Sequence, residues 1–505
     1  MLSELPHRDD PMTTPAARDW PHRAAELGGL LPDGFSVGVS SSAFQIEGAA
    51  RDGGRGESVW DVFTSQGGTA AAGRIRGGSN ASVASDHVNR YVEDAKLLRD
   101  LGVDTYAFSL AWPRLQADAR GALNAAGLAF YDRLLDELLA AGIRPRATLS
   151  HWDLPATLRG GWMNRDTAGR FGDYAHEVGA ALGDRIDSWV TLHEPATVTV
   201  GGYGIGVHAP GRALLFDALP AAHHQLLAHG LAVQGLRAAD VRGGIGLVNA
   251  YSPVLSATDR DEDRSYADLV DLLYNRVFAD PVLLGRYPDP LEPFAVELRT
   301  LLEADPADLR TIHQPLDFYG VSYVQPTRIK AGQPRSAVHA VDPDAPAAPV
   351  IPGAAARARL PFHAEKLREF RVTGDGASVA PEFLGVALEQ LQQRYGAALP
   401  PVWVTVGAST GEAADARGAV HDPLRIDYLA EHLVAALAAV RPGGAAEGLD
   451  LQGFLVRSIL DGFEWEAGYT ARYGLVHVAF ADSPRVGTRT PKSSYRWLQD
   501  VLANR

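Results

Sequence analysis

Eight short apolar or β-branched runs alternate with longer helical patterns along the chain, and this alternation restricts the fold more than any other feature. The runs lie at 35–40, 105–110, 146–149, 188–192, 244–249, 318–322, 402–406 and 453–456. Helical patterns fall between them, among them 91–101, 126–141, 222–239, 381–395 and 425–440. In the last, Tyr428, Leu429, Leu433, Val434 and Leu437 form one apolar stripe at helical spacing. Strands separated by helices pair in parallel, because a parallel crossover needs a dozen or more residues. Eight such units close a barrel. The expected fold is therefore α/β, a single (β/α)8 TIM barrel with long loops at its carboxyl-terminal face. A hydrophobic content of 46% is ample for that core.

The expected organisation has three parts. Residues 1–30, containing Pro, Arg and Asp, read as a loosely ordered extension, and residues 31–505 as the barrel. Within the barrel, 331–377 is rich in Ala, Pro, Arg and His and reads as a long loop inserted over the mouth. The net charge of −14 argues against nucleic acid or an anionic membrane surface as partner. With no cysteine there is no disulfide framework, thiolate chemistry or cysteine-ligated metal, which fits a cytoplasmic protein. No early apolar segment has the form of a signal peptide, and no run reaches the roughly 18 apolar residues of a membrane span. His223, His224 and His229 share one apparent helix without metal-ligand spacing, and no glycine loop cradles a phosphate, so neither metal nor cofactor is expected.

In a barrel of this kind chemistry gathers at the carboxyl ends of the strands. Gln45 follows the first run, His151 and Trp152 the third, and His193 and Glu194 the fourth; the eighth runs into Asp461, Glu464 and Trp465. Amide, imidazole, indole and carboxylate groups around one mouth suit a polyhydroxylated ligand, since hydroxyls need paired donors and acceptors while an indole covers the apolar side of a sugar ring. Glu194 ends the buried run Trp189 to Leu192, and Pro195 stops the strand from continuing. A carboxylate against such an apolar wall is expected to have a raised pKa, as a general acid requires.

These motifs resemble glycoside hydrolase family 1, the β-glucosidase-like retaining glycosidases. The resemblance runs from about Phe35 to Trp497 and rests on Gln45-Ile46-Glu47-Gly48-Ala49, Ser58-Val59-Trp60-Asp61, Trp112-Pro113-Arg114 and His151-Trp152-Asp153-Leu154-Pro155. It continues through His208-Ala209-Pro210-Gly211, Asp317-Phe318-Tyr319-Gly320 and Asp461-Gly462-Phe463-Glu464-Trp465. It implies a barrel with Glu194 at the acid/base position. It also implies that Gln45, His151, Trp152, Glu464 and Trp465 hold the outer hydroxyls and ring face of a sugar.

The departures from the family are grouped. Where the resemblance implies a nucleophilic Glu, this chain has Val406, and Ala107 stands in place of its Arg partner. Val324 occupies the position of the Tyr that would bond the nucleophile, and His193 replaces the Asn before the acid/base. Arg457 replaces a Trp that floors the sugar site, and Ala377 an outer aromatic platform. Nucleophile, Arg and Tyr are gone together, which is expected to leave a neutral, more apolar corner rather than a stranded buried charge.

A retaining glycosidase needs two carboxylates. One general acid supplies about 10²–10⁴-fold, or about 3–5 kcal/mol, of the roughly 8–23 kcal/mol that enzymes supply. Glu412 and Asp415 follow the seventh run but lie six or more residues past Val406. Three readings follow. In the first, an enzyme acts on a glycoside or polyol-like small molecule by proton transfer at Glu194, with His193 as second proton carrier. Arg457 then either holds an anionic group of the substrate or pairs with Glu464 or Glu466. The second is a non-catalytic glycoside binder, and the third an unconventional β-glycosidase. A homo-oligomer is compatible with each.

Overall fold

The computed structural model describes residues 19–65, 74–333, 354–480 and 486–505. Strands β1 Ser36–Ser41, β2 Thr105–Ser109, β3 Arg144–Ser150, β4 Ser188–His193, β5 Gly244–Tyr251, β6 Phe318–Tyr323, β7 Val402–Val406 and β8 Leu451–Arg457 close into one barrel. All pairs are parallel; each strand lies beside its neighbours in sequence, and β1 closes on β8, with Val39 opposite Val456. Every run read as a strand is one, with its ends within two residues of the expected bounds.

The expected helices form at His87–Leu101, Ala125–Ala140, Leu219–Ala238, Glu382–Tyr395 and Pro423–Val440. The helix Ala125–Ala140 begins where the Asn124 side chain accepts from the Ala126 N–H (3.3 Å), satisfying one of the free donors of a helix start. A further helix, Asp166–Leu182, packs along Leu219–Ala238. The two backbones approach so closely that a Cβ on Gly235 would lie 2.6 Å from the Gly172 carbonyl oxygen. Among the described residues no helix is long and apolar enough to cross a membrane.

Two expected segments differ from the sequence reading. Of the extension, residues 1–18 lie outside the described residues, but 19–30 belong to the folded body. They form a turn at Trp20–His22 and a helix at Ala24–Gly28. Trp20 is fully buried, and the Trp497 indole N–H donates to its carbonyl (3.0 Å). The reason is burial: Trp20 and Leu27 add apolar surface that the C-terminal helix Ser493–Ala503 covers. Of the insertion, 334–353 lie outside the described residues. Its flanks carry structure: Thr327–Ala331 pairs with Phe362–Glu365 and with Val254–Ser256, and Arg371–Val372 pairs with Ser378–Val379.

Candidate active site

The exits of β1, β3, β4 and β8 bring together the side chains that the sequence singled out. At the end of β4 the chain turns sharply at Glu194, whose backbone is left-handed (φ 50°), and Pro195 opens the short helix Pro195–Thr197. The Glu194 N–H donates to the Val248 carbonyl (2.7 Å), so the turn is tied to β5. Trp152, after β3, is also left-handed (φ 70°), and its indole N–H donates to the His193 carbonyl (3.0 Å). Such backbones cost about 1–3 kcal/mol each and persist where surrounding contacts hold them.

Glu194 does not have the raised pKa expected of it. Burial pushes its carboxyl up, but hydrogen bonds from His193 and Ser322, with the charge of Arg457, outweigh burial and hold it at about 2. His193 Nε2 lies 3.5 Å from Glu194 Oε1, and the Thr197 hydroxyl donates to Oε2 (2.9 Å). Although the run Trp189 to Leu192 is buried, the Glu194 side chain itself meets polar partners. The resting group is a carboxylate.

An aromatic wall adjoins this pair. The His151 and His193 rings stack with centroids 4.0 Å apart. Burial, the neighbouring His193 and Arg457 hold His151 well below the usual histidine range. Trp465 stacks on Phe44 (5.7 Å) and packs against Trp152 (4.6 Å) and Trp60 (4.4 Å).

Next in the chain to the wall residues Phe44 and Trp465, Gln45 and Glu464 are joined. Gln45 Nε2 donates to the Phe463 carbonyl (2.8 Å) and to Glu464 Oε2 (3.0 Å), and its Oε1 accepts from the Ser42 hydroxyl (2.8 Å). Arg457 Nη2 donates to the same Glu464 oxygen (2.5 Å), so the pairing with Glu464, one of the two expected alternatives, is present. Glu466 engages His208 instead (3.2 Å). Burial raises Glu464 to about 7 although Arg457 and Gln45 oppose it. The Arg457 guanidinium lies over the Tyr473 ring (4.2 Å), and the Tyr473 hydroxyl donates to Asp375.

Val406 is buried at the end of β7, beside Tyr323 and Val456. The corner expected to be neutral is apolar at Val406 but not beyond it. A Cβ on Gly407 would lie 2.6 Å from the Arg457 carbonyl oxygen, so the residue after Val406 packs against the charged residue that ends β8. Ala107 is buried opposite Arg146 of β3. The Arg146 guanidinium sits over Trp403 (3.6 Å) and Phe318 (4.5 Å), donates to the Ser188 hydroxyl (2.8 Å), and burial pushes it down to about 9. Val324 is partly exposed, while the Tyr323 hydroxyl donates to the Ala380 carbonyl (2.6 Å).

Neither candidate acid after β7 is free. Glu412 is held by Lys492 Nζ (2.5 Å) and His477 Nδ1 (2.7 Å), and Asp415 pairs with His421 (3.2 Å). Glu412, Asp461 and His477 are the one described group with metal-ligand proximity, and the Lys492 ammonium, 2.8 Å from Asp461, already sits between the two carboxylates. His223, His224 and His229 each bond a different partner: Asp308, the Trp162 carbonyl and the Thr191 hydroxyl.

Thr197, His208, Tyr473 and Asp375 join the candidate site from positions to which no motif gives a role. His208 stacks on Trp152 (5.4 Å) and was visible as part of a motif, without a role. Asp375 sits within the insertion that composition marked as loop, so nothing local pointed to it.

The family model described as glycosyl hydrolase family 1 matches residues 28–505. The chain is 41% identical over 481 residues to thermostable beta-glucosidase B of Thermobispora bispora, covering 94% of this chain and 90% of that one. It is 37% identical over 480 residues to a beta-glucosidase of Agrobacterium sp. (strain ATCC 21400), covering 94% and 96%. The crystal structure of the psychrophilic beta-glucosidase BglU from Micrococcus antarcticus superposes with a TM-score of 0.82 at 38% identity, over 96% of this chain and 99% of that one. Barrel closure, the order of the motifs and a match over nearly the full length agree: the chain belongs to glycosyl hydrolase family 1.

Proposed function

We propose that this family-1 protein acts on a glycoside or sugar-like polyol by proton transfer at Glu194, with His193 as its partner and without a covalent glycosyl–enzyme intermediate. One observation carries the reading. The residue at the end of β7 is Val406, which has no electron pair to offer an anomeric carbon, while Glu194 stands with an aromatic wall and the Gln45–Glu464 pair at the same mouth. The beta-glucosidase names of the relatives support a glycoside as ligand. The resting Glu194 carboxylate and the His193 imidazole lie 3.5 Å apart, close enough for one proton to pass between them. A cytoplasmic setting, no cofactor and a role in specialised bacterial metabolism belong to the same reading.

The test uses an aryl β-glucoside and a fluorosugar inactivator. Glu194→Gln is expected to lower turnover at least 100-fold with ligand binding kept, in line with about 10²–10⁴-fold for one proton-transfer group. Intact mass after the fluorosugar is expected to show no adduct. A stoichiometric adduct overturns the non-covalent route, and unchanged turnover in the variant overturns the role of Glu194. The ionised resting state of Glu194 gives a second reading some support, a non-catalytic glycoside binder. That reading requires saturable binding that survives Glu194→Gln and is lost with Gln45→Ala.

A further inference from the structure

We propose that Asp375 is the second carboxylate of this site, the base that takes a proton from water during direct hydrolysis of a glycosidic bond. This rests on the non-covalent reading above and names the missing half of its chemistry.

Asp375 comes from the turn between Arg371–Val372 and Ser378–Val379. That turn is fixed to the exit of β7: the Gly374 N–H donates to the Ser409 carbonyl (2.6 Å), three residues past Val406. The carboxylate accepts from the Thr373 hydroxyl (2.5 Å) and from the Tyr473 hydroxyl. Tyr473 carries the Arg457 guanidinium on its face, and Arg457 binds Glu464. Asp375 thus stands two contacts from a guanidinium that also feels Glu194.

The other acids at these exits are already bound to cations or spent on the fold. Glu412 is held by Lys492 and His477, Asp461 by Lys492 and Arg472, Glu464 by Arg457, and Glu466 by His208. Asp375 has no cation within ion-pair distance among the described residues, and its partners are neutral hydroxyls. A carboxylate holds about four acceptor sites, so two hydroxyls leave room for a water. The residue is exposed, and water reaches it.

The step balances without a co-reactant. The water oxygen bonds to the anomeric carbon as the carbon–aglycone bond breaks. Its proton goes to Asp375, and the departing oxygen takes the proton held by the Glu194–His193 pair. The products are the aglycone and a sugar of inverted configuration.

The experiment follows hydrolysis of an aryl β-glucoside by proton NMR and compares wild type, Asp375→Asn and Tyr473→Phe, with calorimetric binding of an unreactive thioglucoside as control. The α-anomer is expected to appear first. Asp375→Asn is expected to lower kcat at least 100-fold with binding unchanged, and Tyr473→Phe to lower it less. In Asp375→Ala, azide is expected to restore turnover as the α-glucosyl azide. The β-anomer appearing first overturns the proposal, as does full activity in Asp375→Asn. Loss in Glu194→Gln without loss in Asp375→Asn overturns it alone and leaves the proton-transfer reading standing. Binding with no turnover overturns both in favour of a glycoside binder.

Discussion

Val406 and Arg457 differ from their expected partners in opposite senses, one losing a charge and the other gaining it. The types of the candidate residues were legible from motifs: Gln45, His151, Trp152, Glu194, Glu464 and Trp465 all follow strand exits. Their charge states were not, because those depend on neighbours from other strands. Glu194 illustrates this, since hydrogen bonds from His193 and Ser322 hold at about 2 a group that its own strand would push up. The same dependence decides what Val406→Glu does. Ala107 offers no guanidinium, and Arg457 is committed to Glu464 (2.5 Å). The new carboxylate is therefore buried without a partner, at a cost of about 3–5 kcal/mol. Hydrolysis of an aryl β-glucoside is expected to rise less than tenfold. Urea unfolding is expected to show a larger loss at pH 8, where the acid is charged, than at pH 5. Adding Ala107→Arg is expected to recover part of that stability; no recovery would mean that the two positions do not meet.

Strands were easier to read than the loops that follow them, for a physical reason. A strand buried on both faces is a continuous apolar run, whereas a loop owes its shape to distant partners. The β3 exit is a case. Its motif residue Asp153 is buried beneath the mouth with no hydrogen bond to either oxygen, and the Arg55 guanidinium is 4.0 Å away. Burial, opposed by Arg55 and reinforced by Asp61 and Glu47, raises Asp153 to about 7. A carboxyl whose folded pKa is above its unfolded value of about 3.9 stabilises fully below that value and loses the contribution as pH rises through the folded pKa. Between about pH 4 and 7 the slope approaches 1.4 kcal/mol per pH unit. Asp153→Asn removes this titration, so its stability relative to wild type is expected to improve from pH 4.5 to pH 7.5. Urea midpoints at the two pH values measure it, and parallel profiles would show that Asp153 stays ionised throughout.

At the scale of the whole molecule, closing the barrel brings residues 19–28 onto the C-terminal helix, a relation that no local pattern could announce. Residues 19–28 and the C-terminal helix Ser493–Ala503 are far apart in sequence and meet against the helices His87–Leu101 and Pro423–Val440. The composition of the first thirty residues hid this, because one tryptophan among Pro, Arg and Asp does not read as core. Trp20 is nevertheless fully buried and joins the same apolar cluster as Val37, Leu98 and Trp497. Truncating a buried Trp costs about 3–5 kcal/mol. For a chain of this size that is about 1 °C in Tm per kcal/mol, so Trp20→Ala is expected to lower Tm by about 3–5 °C. Because the cluster is continuous, the variant is expected to unfold in one transition rather than shed its terminus first. A separate low-temperature step in calorimetry, with the main transition unmoved, would mean that the N-terminal segment clasps the barrel without sharing its stability. Trp20→Ala is expected to leave aryl glucoside binding unchanged at 25 °C, which separates this contribution from the chemistry.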